Sequence, residues 1–179
     1  MVTHNERRRS SGNVLESVGN TPLVQLGRFL ENRDVKLLAK MELFNPGGSA
    51  KDRPALAMIK GAFAEGKINR NSTIVESSSG NMGIGLAQVC RFFDLDFVCV
   101  VDPHAQAQNV AIMRALGARI ERVRKPHNGS YLSARWNRVA ALLDNIEGSF
   151  WPNQYANELN PHSHEIGTIR EIDETLSGD

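Results

Sequence analysis

Cysteine is almost absent: Cys90 and Cys99 are the only two among 179 residues. Each lies in an apolar stretch, "LAQVCRFF" and "DFVCVV", and neither has the close Cys/His spacing of a zinc site. No disulfide framework and no metal centre is therefore expected, and both residues read as buried thiols of a reducing, cytoplasmic protein. Charge of one sign is also lacking. Lys and Arg number 21 against 20 Asp and Glu, a formal net charge of +1, which gives no global basic field for nucleic acid. No apolar run approaches the roughly 20 residues that span a bilayer. The polar start, "MVTHNERRRSSG", has no apolar stretch of the secretory-leader kind and reads as a disordered tail over 1–12. Repeats and low-complexity segments are missing too. What is present is 41% apolar residues, enough for a buried core.

The apolar residues alternate between two periods. "NVLESVG" reads as a short helix, and "PLVQL" and "VKLLAKME" as strands. A helix is expected from Ser49 to about Glu65, with Leu56, Ile59 and Phe63 on one stripe. "TIVES" is a strand, Asn81–Phe93 a helix, "DFVCVV" a strand, Gln106–Leu116 a helix and "ARIERV" a strand. The basic cluster in 118–125 reads as a solvated strand edge. Leu132, Trp136, Val139, Leu143 and Ile146 mark one face of a long helix. After "SFW" comes a turn-rich stretch, "PNQYANELNPHSH", and then a last helix to about Leu176. Strand and helix in alternation argue an α/β fold with parallel sheet flanked by helices, whose ligand sites lie at the carboxyl ends of strands. A helix that closes the sequence without a following strand reads as part of something longer.

Two stretches carry candidate chemistry. "ESSSGNMGIG" (76–85) sets serines and glycines between a strand and a helix. Unpaired N–H groups and the helix dipole favour an anion at such a junction, and small residues let it come close. Its G-x-x-G-x-G order is not the G-x-G-x-x-G of dinucleotide folds, and Met82 stands where a pyrophosphate would approach. In "NPGGSAKDRPA" (45–55), Ser49 is a plausible N-cap and Pro54 fits an early helical position. Lys51 then lies in the first turn, the wrong end of the dipole for a structural cation. An amine so placed is suited to attack on an aldehyde. Taken alone, it reads more readily as a surface lysine.

Together with "VGNTPLVQL" (18–26) and "NQYANELN" (153–160), these stretches resemble the cysteine synthase and cystathionine β-synthase family of fold type II pyridoxal-phosphate enzymes. The resemblance covers about 13–176. It implies a tryptophan synthase β-like fold, with 13–50 as the N-terminal segment of a large domain, 51–155 as a small mobile domain and 156–179 as a return segment. The rest of the large domain would lie beyond this chain, which alone would be inactive, and the whole protein would be a homodimer. By the same resemblance Lys51 would hold pyridoxal 5'-phosphate as a Schiff base and Asn81 would bond the phenolic oxygen of its ring. Ser78, Ser79, Gly80, Asn81 and Met82 would grip the substrate α-carboxylate, with Gln154 helping from the other side. Met82, where the family has threonine, and "SHEIGTIREI" (163–172) depart from ordinary cysteine synthases. The wording "GGSAKDRPA" is closer to a branch that makes 2,3-diaminopropionate precursors for siderophores and antibiotics. Its reaction joins O-phospho-L-serine to L-glutamate and releases phosphate. Arg135, one turn after Tyr131, is then a candidate for the substrate phosphate, or a solvated arginine on a polar face. Tyr155 either lines the acceptor pocket or packs. The alternatives are a cysteine synthase acting on O-acetylserine and sulfide, and a non-catalytic fragment or pseudoenzyme.

Overall fold

The computed structural model describes residues 12–27 and 34–177; most of the tail expected over 1–12 lies outside them. A 3-10 turn at Val14–Ser17 is capped by the Asn13 side chain, which accepts from the N–H groups of Leu15 and Glu16. Strands β1 (Leu23–Gln25) and β2 (Leu38–Lys40) pair antiparallel as a sheet of their own. Next come α1 (Asp52–Ala64), β3 (Thr73–Ser77), α2 (Asn81–Phe93), β4 (Asp96–Val101), α3 (Ala107–Ala115), β5 (Arg119–Arg122), α4 (Tyr131–Asn145) and β6 (Ser149–Phe150). The last four named strands form a parallel sheet in the order β5-β4-β3-β6. The expected α/β architecture is what the chain adopts. Among the described residues no helix is long and apolar enough to cross a membrane.

Alternation along the strands builds two cores, because successive side chains point to opposite faces. Ile74, Phe97, Cys99 and Val101 face α1, α2 and α3, where they meet Met58, Ile59, Leu86, Val89 and Met113. Val75, Val98 and Val100 face α4 and pack on Val139 and Leu142. Each such side chain removed from water contributes about 1.5–3 kcal/mol before entropy is counted. Cys90 and Cys99 are buried and free, as expected. Strand β5 is one edge of this sheet, and there Arg138 of α4 pairs with Glu121 at 3.0 Å.

Three expectations are corrected. Helix α1 starts at Asp52, not Ser49: Lys51 occupies its N-cap position, and the Ser49 hydroxyl accepts the Lys51 N–H instead. The cause is Asn45, whose amide bonds the carbonyls of Glu42 and Ser49 and keeps that segment a turn. On α4, Val139 is buried and Leu143 and Ile146 pack beside it as expected, but Trp136 is 39% exposed and Ala134 and Leu142 complete the buried face. The turn-rich stretch ends early, since α5 (Leu159–Ser163) precedes a π-helical segment (His164–Ile169) and α6 (Arg170–Leu176).

Helices α1 and α2 approach to backbone contact. A Cβ on Gly85 would lie 3.0 Å from Ala55 Cβ and 3.1 Å from the Lys51 carbonyl oxygen. Neither neighbour is a flexible chain end that could give way. Gly85→Val is expected to lower unfolding free energy by about 1–3 kcal/mol, the range for overpacking, read as a shift in the urea midpoint at unchanged slope.

Candidate active site

The chain passes from β3 to β4 and β5, then returns through α4 to β6 on the opposite side of β3. Strand order therefore reverses beside β3, and in open α/β sheets the crevice at the carboxyl ends of strands at such a reversal is where ligands bind. The loop 78–80 and the segment 151–154 both lie there.

Ser78 organises the loop. Its N–H bonds the Val100 carbonyl at 3.2 Å, and its hydroxyl accepts from the N–H groups of Gly83 at 3.0 Å and Gly80 at 3.4 Å. The Cys99 thiol donates to the Ser78 carbonyl at 3.1 Å, and burial pushes that thiol up to about 12. Gly80 is the N-cap of α2, and the Ser78 hydroxyl satisfies the N–H of Gly83 in its first turn. The Met82 side chain is 2% exposed and belongs to the core, so only its main chain faces the loop. The N–H groups of Asn81 and Met82 have no acceptor among the described residues, as the first turn of a helix dictates. The Asn81 side chain is exposed.

Ser79 is where separate elements converge. Arg135 of α4 donates to its hydroxyl at 2.7 Å, the Asp102 carboxylate at the end of β4 lies 3.4 Å from it, and Asn109 of α3 donates to its carbonyl at 3.3 Å. Spacing alone leaves Arg135 either at the site or in solvent; it sits against the loop, with its Nε buried and without a partner among the described residues.

Gln154 reaches the same corner. Its side-chain amide donates to the Ser77 carbonyl at 3.0 Å and its N–H to Glu76 at 3.1 Å. Glu76, which the sequence reading missed, is fully buried and also accepts from Trp151 Nε1 at 2.9 Å and the Ser77 N–H at 2.7 Å. Burial raises its carboxyl above the ordinary range, and these hydrogen bonds offset part of that rise. The signal was available: a charged residue at an inward position of "TIVES" needs partners. Tyr155 is 56% exposed and meets Trp136 edge-on, with ring centroids 5.6 Å apart.

Lys51 is half-buried at the head of α1, its main chain against Gly85. Its amine has no hydrogen-bond or ion-pair partner among the described residues. His164 of the π-helical segment feels it: burial, then the charges of Lys51 and Arg53, hold that imidazole below its usual value. Asp52, also buried, accepts the Gly47 N–H at 2.5 Å, and burial pushes it up to about 6. Arg53 is clamped by Glu42 at 2.8 Å and Glu171 at 2.6 Å, and Lys40 meets Glu171 at 2.6 Å. This network ties β2, α1 and α6 together behind Lys51. A hollow of about 480 Å³ between α1 and the 150–159 segment does not include Lys51.

The family described as pyridoxal-phosphate dependent enzyme matches residues 14–179. N-(2-amino-2-carboxyethyl)-L-glutamate synthase of Cupriavidus metallidurans is 46% identical over 160 residues, 89% of this chain and 47% of that protein. The protein of the same name from Ralstonia nicotianae is 46% identical over 164 residues, 91% of this chain and 48% of its own length. The chain spans about half the length of the curated relatives it matches. Among solved structures, O-ureido-L-serine synthase is similar with TM-score 0.85 and 34% identity, covering 96% of this chain and 52% of that one. A hydrogen sulfide-producing enzyme from Fusobacterium nucleatum follows at TM-score 0.83 and 34% identity, covering 94% and 54%.

Burial alone would raise the Glu171 carboxyl, but hydrogen bonds from Arg53, Lys40 and the Asn20 N–H outweigh it and hold it at about 2, against an ordinary 4.5. The folded state then binds fewer protons than the unfolded chain between these values. Its stabilisation is complete above pH 4.5 and lost as pH falls toward 2, at most about 3 kcal/mol. Urea unfolding across that window is expected to show this slope in the wild type and a flatter one in Glu171→Gln.

Proposed function

The chain belongs to the pyridoxal-phosphate-dependent enzymes, and from that membership we propose β-replacement on an O-activated L-serine: O-phospho-L-serine and L-glutamate give N-(2-amino-2-carboxyethyl)-L-glutamate and phosphate. The observation that carries the reading is Arg135, whose guanidinium lies 2.7 Å from Ser79 on the loop that would hold the substrate. A cation at that point suits a donor that already carries the charge of a phosphate more than one that carries a neutral acetate ester. The name shared by two relatives at 46% identity supports the same donor and acceptor.

The residues fit the cofactor on the criterion an aldehyde-bearing group imposes: a half-buried amine, that of Lys51, without a competing protein partner. Pyridoxal phosphate, when bound, supplies an electron sink for negative charge at the α-carbon. Lys51 would hold it and, when free, take the α-proton. Asn81 would orient the ring through its exposed amide. The loop 78–82 would bind the α-carboxylate, chiefly through the N–H groups of Asn81 and Met82, with the Gln154 side chain closing the other side. The β-carbon–oxygen bond of the donor would break once the α-proton has passed to Lys51, and phosphate would leave toward Arg135. The amine of glutamate would then add to the β-carbon, beside Tyr155, giving up one proton while Lys51 returns one to the α-carbon.

The reading carries a division of the chain with it: 13–50 and 156–179 as parts of a large domain, 51–155 as a small mobile domain, and a homodimeric whole. That β1 and β2 form a sheet separate from β3–β6 supports the first boundary.

In the intact protein, pyridoxal phosphate is expected to give a visible absorption band that Lys51→Ala abolishes. Arg135→Ala is expected to raise KM for O-phosphoserine by about 10–100-fold, the loss of a charge-assisted contact, and to leave O-acetylserine kinetics nearly unchanged. Faster turnover of O-acetylserine with sulfide than of O-phosphoserine with glutamate would replace this reading with a cysteine synthase.

A further inference from the structure

We propose that Asp102 is the counter-charge of the Arg135 pocket and sets how tightly that pocket holds a phosphate-type anion, as donor and as product; the inference rests on the reading above. Asp102 is buried at the carboxyl end of β4. Its two oxygens have different tasks. Oδ1 accepts the His104 N–H at 2.9 Å, and the Ala105 N–H bonds the Asp102 carbonyl at 3.2 Å, so a local turn fixes the carboxylate. Oδ2 points across the crevice, 3.3 Å from Arg135 Nη1 and 3.4 Å from Ser79 Oγ.

The distances decide what this contact is for. A charge-assisted N–H···O bond normally closes to about 2.7–2.9 Å. Arg135 gives its short bond, 2.7 Å, to the neutral hydroxyl of Ser79 and keeps the carboxylate at 3.3 Å. Arg53 in the same chain meets both of its carboxylates at 2.8 Å or less. Arg135 is therefore partly neutralised and not locked into a pair. Both side chains are mostly buried, 12% and 9% exposed, so salt screens their fields weakly. A phosphate that reaches Arg135 meets a guanidinium whose field is reduced by a carboxylate 3.3 Å away. Asp102 thus acts through Arg135 as a positioning residue. It weakens donor and product binding together, which favours release of phosphate once the carbon–oxygen bond has broken.

Asp102→Asn keeps the acceptor for the His104 N–H and removes the charge. Asp102→Ser, whose hydroxyl sustains a similar turn, is the second variant. Inorganic phosphate, titrated calorimetrically into the intact protein, is expected to bind about tenfold more tightly to folded Asp102→Asn or Asp102→Ser, the scale of one screened charge a few ångströms away. The gain should vanish when Arg135→Ala is added. In turnover, KM for O-phosphoserine and kcat should fall together, with phosphate a stronger product inhibitor. A merely structural Asp102 gives the opposite sign: phosphate binding unchanged or weakened in both folded variants overturns the proposal. The calorimetric arm needs no turnover. Failure of O-phosphoserine as a donor would therefore overturn the functional reading alone, and the phosphate titration would still decide the role of Asp102.

Discussion

The carbonyl of Lys51 rests where a side chain at position 85 would otherwise stand, one turn into α2. That contact makes α1 and α2 a single rigid corner and relates the amine of one helix to the free N–H groups at the start of the other. The corner is held from both sides. Met113 and Cys99 crowd Gly83, so the first turn of α2 is pressed onto β4. Behind α1, Arg53 joins Glu42 and Glu171. Neither support touches the crevice, yet each fixes a group that opens onto it.

Two arginines show how one side chain serves different ends. Arg53 is enclosed by two carboxylates and the Thr21 hydroxyl, a desolvated pair whose separation would strand buried charge. Its pairing is complete and its role is cohesion. Arg135 reaches its loop from another helix, has a neutral partner at short range, and leaves Nε buried without an acceptor. Its satisfaction is incomplete where that of Arg53 is full. The loop at Ser79 adds to the contrast, since three elements converge on a single serine.

Much of this was legible from residue order. The helix Asn81–Phe93 and the strands around it follow directly from period and punctuation, because small residues and a long apolar run leave few alternatives. Arg135 and Gln154 both come to the corner at Ser77–Ser79, and Lys51 lays its main chain against Gly85 one turn into α2. What stayed hidden was long-range. Glu171 gives no local hint that it answers Arg53 across 118 positions. Glu76 looked like part of a strand, and its need for Trp151 and Gln154 appears only when β6 is laid beside β3. The misplaced start of α1 has a similar cause: Ser49 is a good cap by composition, but Asn45 binds its carbonyl and takes that turn out of the helix. Trp136 misled because an indole satisfies an apolar stripe and is equally at home half in water beside other rings.

Strand β6 is only two residues long, and its ladder with β3 covers Thr73 and Ile74 alone. Beyond that point the seam on this side of β3 is closed by side chains: Gln154 bonds the Ser77 carbonyl, and Glu76 gathers Trp151 and the Gln154 main chain. A seam stitched in this way can be altered one residue at a time, without slipping a strand. Gln154 is one of those stitches, whereas Tyr155 beside it is 56% exposed and makes none of these bonds to β3, so its side chain can change without unpicking the seam.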